Sequence, residues 1–408
     1  MMKVCLNLDK TKKYLLACSY GPDSMCLFDL LLKNGYDFEI AHVNYHLRKE
    51  EPEEMKDLKK ICKNFKIPLH IIDVKMPKGV NEEGWARDVR YNYFSKLGKQ
   101  TNIKNILIAH NEDDYIETYF LQKKRNSVVS FYGLKKETNY KGVNIIRPLL
   151  CYKKADLLNY CDENKIHYGI DYSNFDISYL RNDIRKNIVS KMDNEERKKI
   201  LNDIEKENKK ISDDFEEISK FIEEPIGFLK NRVTGLSTYK LQLLLIKILE
   251  IKGIYCPISQ KFVKQFKEIL LKEKNWHKEL KDGVYLCVDY GFVSIYELVK
   301  REYFYKINEL PNTIFKLNPN AILYKNIIGE GTYIKSGLKT NEVYVLNNGV
   351  KKKIRRCFID WKMPFIYRLM WPGIYDKNGN LIYVPHYQEK ILNQSNSPLL
   401  FNLNNFIK

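Results

Sequence analysis

Ser19-Tyr20-Gly21-Pro22-Asp23-Ser24 follows a short apolar run and opens directly into the sequence MCLFDLLLK. A strand–loop–helix junction of this kind turns several backbone N–H groups toward one point at the positive end of a helix, which is an anion site. The Ser19 and Ser24 hydroxyls add hydrogen bonds for phosphate oxygens, and Asp23 supplies a carboxylate for a magnesium ion held against them. The loop lacks the G-x-x-x-x-G-K-S/T spacing of a Walker A motif. An ordinary βα turn with a serine cap accounts for the same residues, so the loop alone leaves both readings open.

Three further segments carry polar chemistry at the ends of apolar runs. His42-Val43-Asn44-Tyr45-His46-Leu47-Arg48 closes one run. In Glu83-Gly84-Trp85-Ala86-Arg87-Asp88-Val89-Arg90-Tyr91, the two arginines are three apart and share a helix face, where paired guanidinium groups can clamp phosphates as charge develops. In His110-Asn111-Glu112-Asp113-Asp114-Tyr115-Ile116-Glu117-Thr118, Asp114 and Glu117 share a face and Asp113 lies at the first turn. The helix dipole favours carboxylates there on structural grounds alone. The same cluster also suits an ATP–magnesium site or an ammonium-bearing substrate.

The elements that must position these residues are legible as alternating runs. Residues 14–18, 39–45, 69–74 and 105–110 read as buried strands, and 24–33, 49–65, 82–97 and 112–124 as helices between them. This alternation predicts an α/β fold with a doubly wound, mostly parallel, Rossmann-like sheet. Ligands in such sheets bind beyond the carboxyl ends of the strands, and each motif above falls at such an end. Residues 191–224 are charge-rich and read as a solvated helix or helical hairpin. Helical patterns continue around 241–249 and 261–271, and from about 283 short β-like runs take over, with a hairpin signal at Asn378-Gly379-Asn380. The expected division is 1–192 for a catalytic domain, 193–282 for a helical module and 283–408 for a small α/β C-terminal domain.

Composition narrows the partners. The 408 residues carry a formal net charge of +18, which suits a polyanion but also fits a lysine-rich solvated surface. Nine cysteines never form a C-x-x-C pair, which argues against a zinc ribbon or an iron–sulfur cluster and for reduced core residues. The opening MMKVCLNLDKTKK has no apolar segment of the signal-peptide type, and the run 241–249 is short and broken by Lys247. A soluble, cytoplasmic protein with no membrane partner is the expectation. The oligomeric state is left open, with a homodimer as one expectation.

Taken in order, the motifs resemble those of the lysidine synthases, a family of PP-loop ATP pyrophosphatases. Residues 19–24 are similar to the family loop S-G-G-x-D-S, with Tyr20 in place of the first glycine. Residues 42–48 are similar to H-V-N/D-H-x-L-R with Tyr45 for the second histidine, and 86–91 to A-R-x-x-R-Y. Residues 110–118 are similar to H-H-x-D-D-x-x-E-T with Asn111 for the second histidine, and Arg125-Asn126 stands where the family has R-G. R-P-L-L at 147–150, D-x-S-N at 171–174 and R-N-x-I-R at 181–185 follow in the family's order. Lys351-Lys352-Lys353-Ile354-Arg355-Arg356, Trp361-Lys362-Met363-Pro364, Arg368, Trp371-Pro372 and Val384-Pro385 resemble the family's C-terminal tRNA-binding domain, where basic clusters interleaved with aromatics suit phosphate contact and stacking.

The resemblance implies ATP-dependent ligation of L-lysine to C2 of the wobble cytidine in the CAU anticodon of tRNA(Ile). The route is an adenylated base, with pyrophosphate and AMP released. It implies that Ser19, Tyr20, Gly21, Pro22, Asp23 and Ser24 line the triphosphate, that Asp23 is also catalytic and linked to Mg2+, and that His42, Asn44 and Arg87 belong to the ATP site. It implies further that Arg90 stabilises phosphates or the adenylate, and that Asp114 and Glu117 bind the lysine ammonium and take its proton. Arg147, Arg181, Arg185 and Lys186 form the expected tRNA-backbone face. The Tyr20 side chain must point away from the phosphates, or ATP sits in an altered geometry. Two alternatives stay open: a PP-loop tRNA 2-thiolation enzyme, and a catalytically inert ATP- and RNA-binding protein motivated by Tyr20, Tyr45 and Asn111.

Overall fold

The structure is a computed structural model that describes residues 5–47, 50–80, 82–169, 180–299, 302–321, 323–345, 349–387, 397–403 and 406–407. It divides into two compact units, Met1–Asp213 and Asp214–Lys408. The helical stretch beyond residue 214 and the small C-terminal sheets fall together in the second.

The first unit is the expected doubly wound sheet. Its strands are β1 (Tyr14–Ala17), β2 (Phe38–Asn44), β3 (Leu69–Asp73), β4 (Asn105–Ile108), β5 (Glu137–Tyr140) and β6 (Val143–Ile146). They lie in the order β3-β2-β1-β4-β6-β5. All neighbours are parallel except the β5–β6 hairpin, which turns at Lys141 and Gly142, both at positive φ (48° and 88°). The helices are α1 (Pro22–Lys33), α2 (Glu51–Phe65), α3 (Glu82–Gln100), α4 (Glu112–Lys124), α5 (Lys154–Glu163), α6 (Leu180–Asn187) and α7 (Asn194–Ser219).

Two-residue alternation explains why the sheet is covered on both faces. Tyr14 and Leu16 of β1 pack with Cys26, Leu27 and Leu30 of α1 and with Leu157 and Cys161 of α5. Leu15, between them, packs the other way against Tyr91, Phe94 and Leu97 of α3. The strand order leaves β1 at the point where connections run to either side, the place where open α/β sheets bind ligands.

In the second unit, helices Thr238–Ile251 and Gln260–Leu270 are each capped by a serine: Ser237 Oγ accepts from Lys240 N (3.2 Å) and Ser259 Oγ from Phe262 N (3.2 Å). The run from Val284 to Glu297 forms an antiparallel hairpin, and the Asn378–Asn380 turn joins strands Gly373–Tyr375 and Leu381–Tyr383 as expected. Trp371 is fully buried and donates Nε1–H to Pro385 O (2.8 Å), so it serves the core, whereas Trp361 is half-buried. Lys352 and Arg356 both pair with Asp360, which moderates the charge of the basic run. Among the described residues no helix is long and apolar enough to cross a membrane.

Candidate active site at the carboxyl edge of the sheet

The loop between β1 and α1 is tied down before any ligand arrives. Pro22 occupies the first helical turn, where its missing N–H costs nothing, and Gly21 is the N-cap. Ser24 Oγ donates to Gly21 O (2.9 Å), and Ser19 Oγ lies 3.4 Å from Ser24 Oγ. His42 at the end of β2 is buried, and its Nδ1 lies 2.8 Å from Cys18 O, where only an N–H can donate. Burial pushes the His42 pKa down, so the ring is neutral and acts as a strut under the loop.

Tyr20 replaces a glycine and adopts a glycine's backbone, with φ at +65°. Its side chain points into the core and is 4% exposed, so the phosphate side of the loop stays clear of the ring. Burial raises the phenol pKa to about 12, helped by the negative charges of Asp57 and Glu54. The Tyr20 carbonyl accepts from Gly169 N (2.9 Å). Asn126, the other residue at a family glycine position, likewise has positive φ (50°), which asparagine tolerates well.

Asp23 is the most exposed to electrostatic conflict. Its Oδ2 accepts from Lys154 Nζ at the start of α5 (2.7 Å), while its Oδ1 is buried with no hydrogen-bond partner among the described residues. Burial raises its pKa and Asp114 raises it further, against the opposing pull of Lys154. An orphaned carboxylate oxygen beside an anion loop fits a cation bridging the carboxylate to phosphates. Among the described residues there is no group of three or more His, Cys, Asp or Glu able to hold a metal alone. Were a magnesium ion bound there, Asp23 would be its ligand from the protein and the remaining ligands would come from phosphate and water, the usual habit of that ion.

Helix α4 starts with a capping box: Asn111 Oδ1 accepts from Asp114 N and Asp114 Oδ2 from Asn111 N, both at 3.1 Å. Asn111, which stands for a histidine, therefore works as an N-cap. The carboxylates then separate into two sets. Glu112 and Asp113 are held by Arg197 of α7 (3.1 and 2.9 Å). Asp114 and Glu117 face α6, where Arg181 reaches both (3.3 and 3.1 Å) and Arg185 Nε meets Glu117 Oε1 at 2.6 Å. Burial works against the Asp114 carboxylate, but His110, Arg181, the Asn111 N–H and Arg185, in that order, outweigh it and hold its pKa below the usual range.

The arginines read as a nucleic-acid face are thus turned elsewhere. Arg181 and Arg185 serve the carboxylates. Arg147 is 3% exposed and donates to His110 Nδ1 (3.1 Å), Lys135 O (2.7 Å), Thr138 Oγ1 (3.0 Å) and Tyr91 OH (3.2 Å). The α3 pair also divides. Arg87 lies over the Tyr91 ring at 5.2 Å, while the charge of Arg90 acts on Tyr45 and His110. Tyr45 donates to Ala86 O (3.1 Å) and meets Trp85 edge-on, so the residue that departs from the family pattern fixes α3 to the end of β2. Asn44 donates to Asp73 (2.7 Å) at the sheet surface.

Asp23, Asp114, Glu117, Arg90 and the 19–24 loop therefore converge at one edge, with His42 beneath them. Arg87 and Asn44 sit at its margin. Sequence reading missed Lys154 and the inward roles of His110, Arg147, Arg181 and Arg185, for which the only signal was their place inside motifs. Arg48 and the 171–174 motif lie outside the described residues.

This fold and loop define a class, and the comparisons agree: a PP-loop domain matches residues 1–192. A tRNA(Ile)-lysidine synthase of Mycoplasma mycoides is 32% identical over 404 residues, covering 92% of this chain and 97% of that protein. A tRNA(Ile)-lysidine synthase of Mesoplasma florum is 38% identical over 217 residues, 52% of each chain. Among solved structures, a U34-tRNA thiolase of Methanococcus maripaludis aligns with a TM-score of 0.43 at 16% identity, covering 50% of this chain and 74% of that one. The chain belongs to the tRNA(Ile)-lysidine synthase family.

Proposed function

We propose that this chain is a carbon–nitrogen ligase that joins L-lysine to C2 of the wobble cytidine in the CAU anticodon of tRNA(Ile), using ATP. The observation that carries the reading is the meeting of an anion loop, an orphaned Asp23 oxygen and the arginine-paired carboxylates Asp114 and Glu117 at one sheet edge, in a chain similar to one tRNA(Ile)-lysidine synthase over 92% of its length.

The chemistry has two transfers. The cytidine O2 attacks the α-phosphorus of ATP, the bond to the β-phosphate oxygen breaks, and pyrophosphate leaves. The ε-amine of lysine then attacks C2, the C2–O bond breaks, AMP leaves, and the amine gives up a proton. In the first step the 19–24 loop holds the phosphates and Arg90 offsets charge at the α-phosphate; Asp23 would hold a magnesium ion, which would supply positive charge for the leaving pyrophosphate. In the second step Asp114 and Glu117 receive the lysine ammonium, and a carboxylate takes the proton that makes the amine nucleophilic. Arg181 and Arg185 hold both carboxylates in ion pairs, so an incoming ammonium shares or displaces an arginine contact. The basic second unit serves the tRNA backbone, and the chain works in the cytoplasm, as a homodimer or a monomer.

Incubating the protein with isoleucine tRNA bearing CAU, radiolabelled lysine and ATP tests this. Lysine label in the tRNA with matching AMP release is expected. Sulfur incorporation, or tRNA binding without lysine transfer, overturns the reading.

A further inference from the structure

His110 ends the segment that follows β4, and its surroundings decide what its ring can do. Arg147 Nε donates to His110 Nδ1 at 3.1 Å. A guanidinium has only donors, so Nδ1 must offer a lone pair and any ring proton must sit on Nε2. The same arginine is anchored by Lys135 O (2.7 Å), Thr138 Oγ1 (3.0 Å) and Tyr91 OH (3.2 Å), none of them an anion. Its charge therefore stays unneutralised beside the imidazole. Burial is the largest influence that keeps the ring neutral; among the charges, Asp114 of α4 acts most strongly and favours protonation, opposed by Arg147, Arg181 of α6 and Arg90 of α3. No protein hydrogen bond is assigned to His110 Nε2 among the described residues.

We propose that Arg147 is a positioning residue for the transfer: it fixes His110 as the neutral Nε2–H tautomer, so that this N–H donates to the ligand bound at the carboxyl edge of the sheet. The role rests on the lysine-transfer reading of the site. In that reading the N–H faces developing negative charge, on the α-phosphate or on the departing AMP oxygen, and stays a donor throughout. His110 is then excluded as the base that takes the lysine proton, because one nitrogen is engaged by a cation and the other already carries hydrogen. That duty falls to Asp114 or Glu117. Arg147 also links three sequence motifs at one point, contacting Tyr91 of A-R-x-x-R-Y and His110 of the α4 motif from its own R-P-L-L segment.

Nitrogen NMR of the full chain with labelled histidine tests the tautomer independently of activity. His110→Gln identifies the His110 signals among those of the seven histidines. The expected result is an unprotonated Nδ1 and a protonated Nε2, unchanged across the pH range in which free imidazole titrates. An Nδ1–H tautomer, or titration in the ordinary range, overturns the proposal whatever the activity. Arg147→Met is expected to release the ring into a mixture of tautomers that titrates, and to lower kcat with KM for lysine unchanged. Arg147→Lys keeps a cationic donor and is expected to restore the neutral Nε2–H signature even where Arg147→Met folds poorly. Should the tautomer be as stated while wild-type protein transfers no lysine, the functional reading fails and the assignment of the ring stands.

Discussion

Glu117 and Arg185 meet in paired contacts, Nε to Oε1 at 2.6 Å and Nη2 to Oε2 at 3.0 Å, with the Glu117 side chain wholly shielded from solvent. A buried carboxylate in a site proposed for an ammonium substrate is thus already partnered. Removing one member of a fully buried pair costs about 3–5 kcal/mol, but the Arg185 side chain is 38% exposed, so solvent screening reduces its share. Arg181 still reaches Glu117 at 3.1 Å, so Arg185→Ala is expected to lose less than that range, about 1–3 kcal/mol, in urea unfolding. Glu117→Gln is expected to raise KM for lysine at least tenfold with KM for ATP little changed. Equal rises in both constants remove Glu117 from lysine recognition.

Asp23 carries the opposite imbalance. Its raised pKa means that the folded protein holds an ionised carboxylate it would rather protonate. The sign follows: stability is highest below the ordinary aspartate pKa and falls as pH rises through the elevated one. At neutral pH, Asp23→Asn should leave the ligand-free protein melting no lower than wild type, while lysine transfer drops by several orders of magnitude. A melting temperature well below wild type shows that the Lys154 contact outweighs burial.

Tyr20 tests whether a glycine restored by mutation is an improvement. A non-glycine residue in the left-handed region costs roughly 1–2 kcal/mol, whereas deleting a buried aromatic ring costs about 3–5 kcal/mol. Tyr20→Gly, the change toward the family loop, is therefore expected to lose about 1–4 kcal/mol of stability in chemical denaturation. Tyr20→Phe keeps the packing and removes only the hydroxyl beside Asp57, so its loss is expected to be smaller. A more stable Tyr20→Gly shows that backbone strain dominates at this loop.

What the residues alone disclosed has a physical boundary. β1, β2 and β4 were visible because buried parallel strands are short, nearly continuous apolar runs between amphipathic helices; β3, read as buried, is a half-buried edge strand found by its apolar residues alone. The β5–β6 hairpin was not, because Glu137–Tyr140 is a polar edge strand whose exposed side chains carry no burial pattern. In the site, Asp23, Arg90, Asp114 and Glu117 stood out by type and spacing. Their partners did not, since Lys154 is 131 residues from Asp23 and Arg185 is 68 from Glu117. Tyr20 looked like a defect in the phosphate loop because sequence shows a missing glycine, not the core pocket that takes the ring.

The last expectation concerns pH. Burial and the neighbouring arginines lower the His110 pKa to about 3, far below the ordinary value of about 6.5. Between those values the unfolded chain binds a proton that the folded chain refuses, so stability is full above the ordinary value and is lost as pH falls toward the lowered one. His42, also buried and lowered, acts in the same direction. Thermal melts should therefore shift downward as the pH is taken from neutral to mildly acidic, before most carboxylates protonate. His110→Gln, which cannot titrate, should flatten that limb and leave the part due to His42. An acid limb identical in the variant and the wild type would show that His110 carries its proton in the folded state, and the neutral donor role would fall with it.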